Sequence, residues 1–378
     1  MRSTYKKLGP YIRDVVVRNT GGAEEGLLGL SVSKTFLPTK ANTIGTNFAN
    51  YKIVKCGQFS YTADTSRRGD KIAIALLDQW ERAMVSPIYT VFEIVDEEQL
   101  LPEYLMMWFR RPEFDRYARF KSHGSVRELF GWNEMQDVEL PIPPIHKQRQ
   151  IVREYQTVVK QIRVNEHLNE KLEETIQAIY KQWFVNFETA SKLPLGDLIE
   201  FNPKHTIIKG ESTTYIEMAD VSEDALNVKN TVERGFTAGS KFMNDDTLLA
   251  RITPCLENGK TAFVNCLADK EIGFGSTEFI VMRSKGQVSP YWVYCAARES
   301  HFREYAISSM VGSSGRQRVH SEYLESYAVP AFSASDMQQF HNYAGPIFKR
   351  IKLLANKNKK LEVLRITLLG LLANRGSL

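Results

Sequence analysis

The sequence predicts an α+β fold built from two similar α/β globules. Each globule is followed by a long helix, and the two helices pair antiparallel within the chain about a pseudo-twofold axis. Three observations predict this. Short matches repeat about 187–190 residues apart. Each copy passes from short β-branched segments to helical ones. Each copy ends in a proline step followed by a sustained heptad pattern. At 378 residues the chain also exceeds what one compact core usually serves.

The repeat is legible residue by residue. Leu8-Gly9 returns as Leu195-Gly196, FDRYA (114–118) as FREYA (302–306), and Ile142-Pro143 as Val329-Pro330. EKLEET (170–175) is echoed by KKLEVL (359–364). Order and spacing persist across half the chain, which chance explains poorly. The matches fall on framework segments, whereas stretches such as KTFLPTKANTIGTNFAN have no twin. A shared scaffold with divergent loops suits related jobs on different targets. A duplication kept only for stability is the plainer alternative. The expected domains are a first globule over 1–143, its arm over 144–187, a second globule over 188–334 and its arm over 335–378.

The elements follow in order. YKIVK, DKIAIALL and SPIYTVFEIV in the first half read as strands, as do TLLARIT, KTAFVNCL and STEFIVM in the second. Helices are expected around 102–120 and 289–308. The peptide LPIPPIHKQRQIV (140–152) is a stiff lead-in that launches a helix, because proline costs nothing in a first helical turn. From Ile151 to Trp183, and again from Phe340 to Leu372, positions recur at steps of four and three, and eight of ten in each series are apolar. Ser335 and Gln338 offer a capping box for the second helix, and Gly376 follows its last turn. Helices of roughly 60 Å must bury such stripes, and the cheapest partner is the other arm. Asn169 and Asn358 are equivalent in the repeat, so they are expected close together, fixing register. Packing of each helix on its own globule would separate them. Trp183, Phe184 and Phe187 close the first arm, as core or as a partner contact.

Composition narrows the function. Hydrophobic residues make up 43% and charged residues 25%, as in ordinary soluble proteins. No apolar run approaches the roughly 20 residues that cross a bilayer, and MRSTYKKLGP is not a signal peptide. Cys56, Cys255, Cys266 and Cys295 form no CxxC pair, which suits a reduced cytoplasm and argues against zinc. Catalytic signatures are near misses. NGKTAF has Pro254 where a phosphate loop needs glycine, IGFGS lacks cofactor-loop spacing, and IPPI lacks the flanks of an adenine-methyltransferase motif. Their joint failure points to a binding protein.

The net charge of +5 leans mildly towards an acidic partner. Polar loops with basic residues suit phosphate and base-edge contacts. The candidates are Lys34, Lys40, Arg67, Arg68, Lys71, Lys121, His123 and Arg127 in the first half. In the second they are Lys204, His205, Arg251, Lys260, Arg316, Arg318 and His320. A solvated surface is the commoner fate of any one such loop. Recurrence at matching places, such as Arg127 against Arg316 and Arg318, strengthens the case. For Arg251 and Lys260 a structural ion pair is the rival reading. The basic row Lys349, Arg350, Lys352, Lys357, Lys359 and Lys360 is a solvated face by default, with DNA or a partner subunit as the second choice.

LPIPPIHKQRQIV, KLEETIQAIYKQWF, LLARITPCLENGK and GSTEFIVMR together resemble the specificity subunit of Type I restriction–modification systems. The likeness spans both globules and both helices. It departs at HKQ, where an acidic residue usually precedes Gln, and at the degenerate step YAVPAFSASDMQQF. The resemblance implies a non-catalytic cytoplasmic subunit whose globules are target-recognition domains. Each reads one half of a split, asymmetric site in double-stranded DNA. The helices would space the domains and dock two modification (methyltransferase) subunits, with two restriction (motor–nuclease) subunits joining. No cofactor is expected on this chain, while S-adenosylmethionine, ATP and Mg belong to the partners. No membrane is involved. Two other classes stay open: a stand-alone DNA-binding regulator, and a coiled-coil scaffold that binds no nucleic acid.

Overall fold

The computed structural model describes residues 5–21, 26–39, 43, 45–65, 69–124, 128–186, 191–313 and 315–375. It divides into two compact units, Met1–Gln161 with Leu361–Leu378, and Ile162–Lys360. The division falls within the two long helices, so each unit contains a globule plus a segment of both arms.

In the first unit the strands are β1 (Tyr5–Lys7), β2 (Ile12–Asp14), β3 (Leu27–Leu30), β4 (Phe36–Pro38), β5 (Lys52–Lys55), β6 (Phe59–Tyr61), β7 (Ile74–Leu76), β8 (Arg82–Val85), β9 (Thr90–Ile94) and β10 (Glu139–Pro141). Helices α1 (Pro102–Phe109), α2 (Pro112–Lys121) and α3 (Trp132–Gln136) follow β9, and α4 (Ile145–Tyr180) follows β10. In the second unit α5 (Leu195–Leu198) lies between β11 (Lys192–Pro194) and β12 (Ile199–Phe201). Then come β13 (Ser212–Ile216), β14 (Val232–Gly235), β15 (Ser240–Phe242), β16 (Thr247–Ala250), β17 (Thr261–Phe263), β18 (Gly273–Gly275) and β19 (Phe279–Ser284). Helices α6 (Pro290–Arg298), α7 (Ser300–Ser308) and α8 (Ser321–Glu325), strand β20 (Ala328–Pro330) and helix α9 (Ala334–Arg375) complete it.

The duplication is complete at the level of topology. Sheets β2-β9-β6-β7 and β4-β3-β8-β5 recur as β12-β19-β16-β17 and β14-β13-β18-β15, and the pair β1-β10 recurs as β11-β20. Even the lone parallel pairing of each lobe, among the described strands, is repeated: β3 with β8, and β13 with β18. Alternation explains the layering. Along β19, Ile280 and Met282 join the core beneath the helices, while Phe279 and Val281 join the core towards the second sheet. In β9, Phe92 and Ile94 likewise face the helices and Val91 the other sheet. A strand buried on both faces is largely apolar, the pattern legible in FIVM and, interrupted by the half-buried Glu93, in TVFEI.

The single helices expected over 102–120 and 289–308 are each two. Arg111, preceding Pro112, is extended (φ −74°, ψ 138°), as a residue before proline prefers. In the second lobe Glu299 takes the same conformation, and its carboxylate accepts the Phe302 N–H at 3.0 Å, capping α7.

The start of α4 is held by Gln148, whose side chain is fully buried. It accepts the Leu101 N–H and donates to the carbonyls of Gln99 and Pro143. The proline step therefore locks the helix to its lobe. Helix α9 begins with a reciprocal Ser333–Asp336 box, two residues ahead of the expected Ser335–Gln338 one. Aspartate, one methylene shorter than glutamate, closes the same loop onto the Ser333 N–H.

The two long helices pair as an antiparallel coiled coil. In the first unit Ile151, Val152 and Tyr155 share a core with Leu369 and Leu372. In the second, Ile176 and Tyr180 share one with Phe340, Ala344 and Ile351. Phe184 is buried there with Trp183 beside it, while Phe187 and Gly376 lie outside the described residues. Asn358 does not meet Asn169. It accepts from the side chain of Asn165 at 2.6 Å and donates to the Ile162 carbonyl at 3.3 Å. Partners move in opposite directions along an antiparallel pair, so four residues forward from Asn165 face four residues back from Asn358. That sets Asn169 opposite the buried Leu354, and its side-chain oxygen is buried without a hydrogen-bond partner among the described residues.

Glu173 ties α4 to the second lobe. Its carboxylate accepts the Leu226 N–H at 2.8 Å and the Tyr294 hydroxyl at 3.3 Å. Burial pushes its pKa up from an ordinary 4.5 to about 7.

Two outcomes follow. Asn358→Leu alone removes the acceptor that Asn165 uses across the seam and is expected to cost roughly 1–3 kcal/mol in urea unfolding. Asn165→Leu with Asn358→Leu restores or exceeds the original stability, as a double-mutant cycle would register. Separately, the folded state keeps the Glu173 proton to higher pH than the unfolded chain does. Its contribution therefore favours folding least above pH 7, and stability should fall by about 3 kcal/mol as pH rises from 4.5 to above 7. Glu173→Gln should flatten that part of the curve measured by denaturant titration.

Candidate nucleic-acid interface

In both lobes the same backbone pairings stitch three loops together. The isolated bridges Ile252↔Arg318 and Val311↔Arg318 in the second lobe match Asp64↔Leu129 and His123↔Leu129 in the first. The Val319 N–H donates to the Arg251 carbonyl at 3.0 Å, as the Phe130 N–H donates to that of Ala63 at 2.8 Å. The loops singled out in sequence, LARITPCLENGK and GSSGRQRVH, are thus neighbours in space.

Beside them, Lys204, His205, Lys241 and Arg251 line a cleft of about 550 Å³ together with Ser240 and Thr277. Its electrostatics are set by two carboxylates. Asp246, 1% exposed, accepts both Nε and a terminal nitrogen of Arg283, at 2.7 and 2.6 Å. Arg283 in turn reaches His205 Nε2 at 2.8 Å. Burial, then the Arg283 charge, lowers the His205 pKa, so the imidazole is neutral near pH 7 and accepts this hydrogen bond. Glu278 accepts the Arg251 Nε at 3.2 Å and the Arg318 Nε and NH2 at 2.9 and 2.7 Å. The Arg318 guanidinium and then Arg251 hold its carboxyl below the usual range. Lys241 donates to the His205 carbonyl at 2.8 Å.

The remaining candidates separate. Lys204, Arg316 and His320 are exposed. Lys260 is half-buried and donates to the Met218 carbonyl at 2.9 Å, a structural hydrogen bond in place of the ion pair weighed for it. In the first lobe Lys71, Lys121 and His123 are exposed around the stitched loops. Lys40, Arg67, Arg68 and Arg127 lie outside the described residues. The row from Lys349 to Lys360 along α9 is exposed.

Lys34 is a correction. It sits in a left-handed conformation (φ +64°) in the β3–β4 turn and is only 5% exposed. Its ammonium lies 2.8 Å from Asp115, donates to the Phe109 carbonyl and stands over the Phe114 ring. Burial lowers its pKa, and Asp115 opposes that shift. It is a buried ion-pair partner holding the turn to α1 and α2, and no DNA can reach it. The sequence reading also missed Lys241 and Glu278. A second cleft, of about 360 Å³ in the first lobe, is lined by Arg18, Asn19 and Arg82, and was missed as well. Only Glu278 had a signal, in GSTEF, and there it served as a family mark.

Fold and site define a class: a duplicated α/β-lobed protein braced by its own antiparallel coiled coil, with a basic cleft. No family model matches the chain. It is 26% identical over 147 residues to the specificity subunit of the Type I restriction enzyme EcoEI of Escherichia coli. It is 30% identical over 145 residues to that of EcoAI, also of Escherichia coli. Each match spans 36% of this chain and 24% of the relative's length. The crystal structure of a Type I restriction–modification system S subunit from M. genitalium superposes with a TM-score of 0.58 at 12% identity, over 98% of this chain and 96% of that one. The chain therefore resembles Type I restriction–modification specificity subunits in sequence over about a third of its length, and shares the fold of one over nearly all of it.

The Lys34 assignment predicts that Lys34→Met lowers stability by about 3–5 kcal/mol, by leaving Asp115 unpaired in a largely dry site. DNA affinity per folded molecule, measured on the soluble fraction, should not change.

Proposed function

We propose that this chain is the DNA-specificity subunit of a Type I restriction–modification enzyme and performs no catalysis itself. Its recognition domains span 1–143 and 188–334, and its spacer arms 144–187 and 335–378. Each recognition domain reads one half of a split, asymmetric site. The arms set the gap and dock two methyltransferase subunits, with two motor–nuclease subunits joining for cleavage. The observation that carries the reading is one ten-strand topology, repeated among the described residues, with different residues on its loops. One scaffold presenting two chemistries suits two unlike half-sites. The basic cleft of the second lobe and the exposed Lys71, Lys121 and His123 of the first supply phosphate and base donors. Exposed apolar side chains on the long helices, among them Val164, Leu353, Val363 and Ile366, suit docked protein. Among the described residues no group of three His, Cys, Asp or Glu side chains could hold a metal, and no helix is long and apolar enough to cross a membrane.

Purification of the tagged chain from its host should recover two larger methyltransferase chains, and methylome sequencing should return a split adenine-methylated motif. One heptad inserted in each arm should widen the motif's gap by about 3 base pairs, at roughly 10.5 Å per heptad and 3.4 Å per base pair. An unchanged gap contradicts the spacer role. Recovery alone, with salt-dependent DNA affinity, would favour the stand-alone regulator.

A further inference from the structure

Two arginines approach Glu278, but they do different things with it. Arg318 is used up. Its Nε and NH2 form a fork on the carboxylate, and its NH1 donates to the Arg316 carbonyl at 3.3 Å. Arg251 spends only its Nε on Glu278, and its backbone N–H also bonds the Glu278 carbonyl at 3.0 Å. Among the described residues its two terminal nitrogens bond nothing, its side chain is 30% exposed, and it lines the cleft. A guanidinium held by Nε at a fixed carboxylate keeps two donors aimed in one direction. A phosphate contact needs no such aim, whereas reading two acceptors on a base edge does.

The first lobe supplies the contrast. The matching backbone bonds place Ala63 where the second lobe has Arg251, and Leu129 where it has Arg318. The Tyr89–Ser86 bond matches the Phe279–Ser276 bond, so Ile88 occupies the place of Glu278. Ile88 is 74% exposed and Leu129 45% exposed. Large apolar side chains held out to water at those points suit a methyl-bearing base edge.

We propose that Arg251 reads a guanine in the half-site of the second lobe, through its terminal N–H groups to O6 and N7. Glu278 is its positioning residue, held in turn by Arg318. At the equivalent place the first lobe offers Ala63, Ile88 and Leu129 to a thymine methyl. This rests on the specificity-subunit reading and adds which positions read and what they read. It also removes Arg318 from the DNA-contacting set and gives it an orienting role.

The test uses the full chain in complex with the methyltransferase subunits that co-purify with it, and reads the methylated motif and the salt dependence of DNA binding. The wild type should give a split motif containing a guanine on the second-lobe side. Arg251→Lys keeps the charge but loses the fork, and should cut the preference for that guanine roughly 10- to 100-fold. Its slope of log affinity against log salt should match that of the wild type. Glu278→Gln should relax the same position and no other. Ile88→Ser, at an exposed site that leaves folding intact, should relax a thymine-bearing position in the other half. An unchanged motif in the Arg251 and Glu278 variants overturns the inference while leaving the specificity-subunit reading standing. So does a uniform affinity loss in Arg251→Ala with a slope smaller by about 0.9, the signature of a phosphate contact. A wild-type complex that methylates no defined motif overturns the specificity-subunit reading itself.

Discussion

The antiparallel seam between α4 and α9 is the constraint on which the rest depends. Helices of 36 and 42 residues, roughly 54 and 63 Å long, carry more apolar stripe than one lobe can cover. They bury it against each other, Ile151 and Tyr155 with Leu369 and Leu372 in one unit, Ile176 with Ile351 in the other. The Asn165–Asn358 bond adds no hydrophobic gain. Its value is discrimination, because a shift of one turn in one direction would set Asn165 against Leu354 and Asn358 against Ile162. Gln148 at the start of α4 and Glu173 further along then convert helix position into lobe position through buried polar bonds.

Within the lobes, carboxylates do for arginines what the seam does for helices. Asp246 fixes Arg283, and through it the tautomer of His205. Glu278 fixes Arg318 and one nitrogen of Arg251. A long, flexible cationic side chain loses much of its rotamer entropy when it binds, so fixing it in advance favours discrimination over mere attraction. The first lobe carries apolar residues at the corresponding three positions, and this is where the duplicated scaffold departs most in chemistry.

The sequence disclosed the duplication, the strand-to-helix order of each half and the heptad seam, because these rest on periodicity and local propensity. It placed the central strands well, since a strand buried on both faces is dominated by apolar, β-branched and aromatic residues. It missed Asn165 as the partner of Asn358, because repeat alignment marks equivalent positions while an antiparallel pair joins mirror-related ones. It read Lys34 as surface, since nothing local announces Asp115 and the Phe109 carbonyl far along the chain. It divided the helices at 111 and 299 too little. Pro112 was visible there, but the capping role of Glu299 was not. Arg251, Lys204 and His205, chosen from separate loops, line one cleft, yet Glu278 and Lys241 carried no charge pattern that would single them out.

The measurement that tests the seam most directly is a pair of cysteine traps in a chain freed of Cys56, Cys255, Cys266 and Cys295. Cysteines at 165 and 358 should close an intramolecular disulfide on mild oxidation, seen as faster migration on a non-reducing gel. Cysteines at 169 and 358 should close far more slowly. Equal closure of both, or cross-links only between chains, would contradict the register and with it the arrangement proposed for the two reading heads.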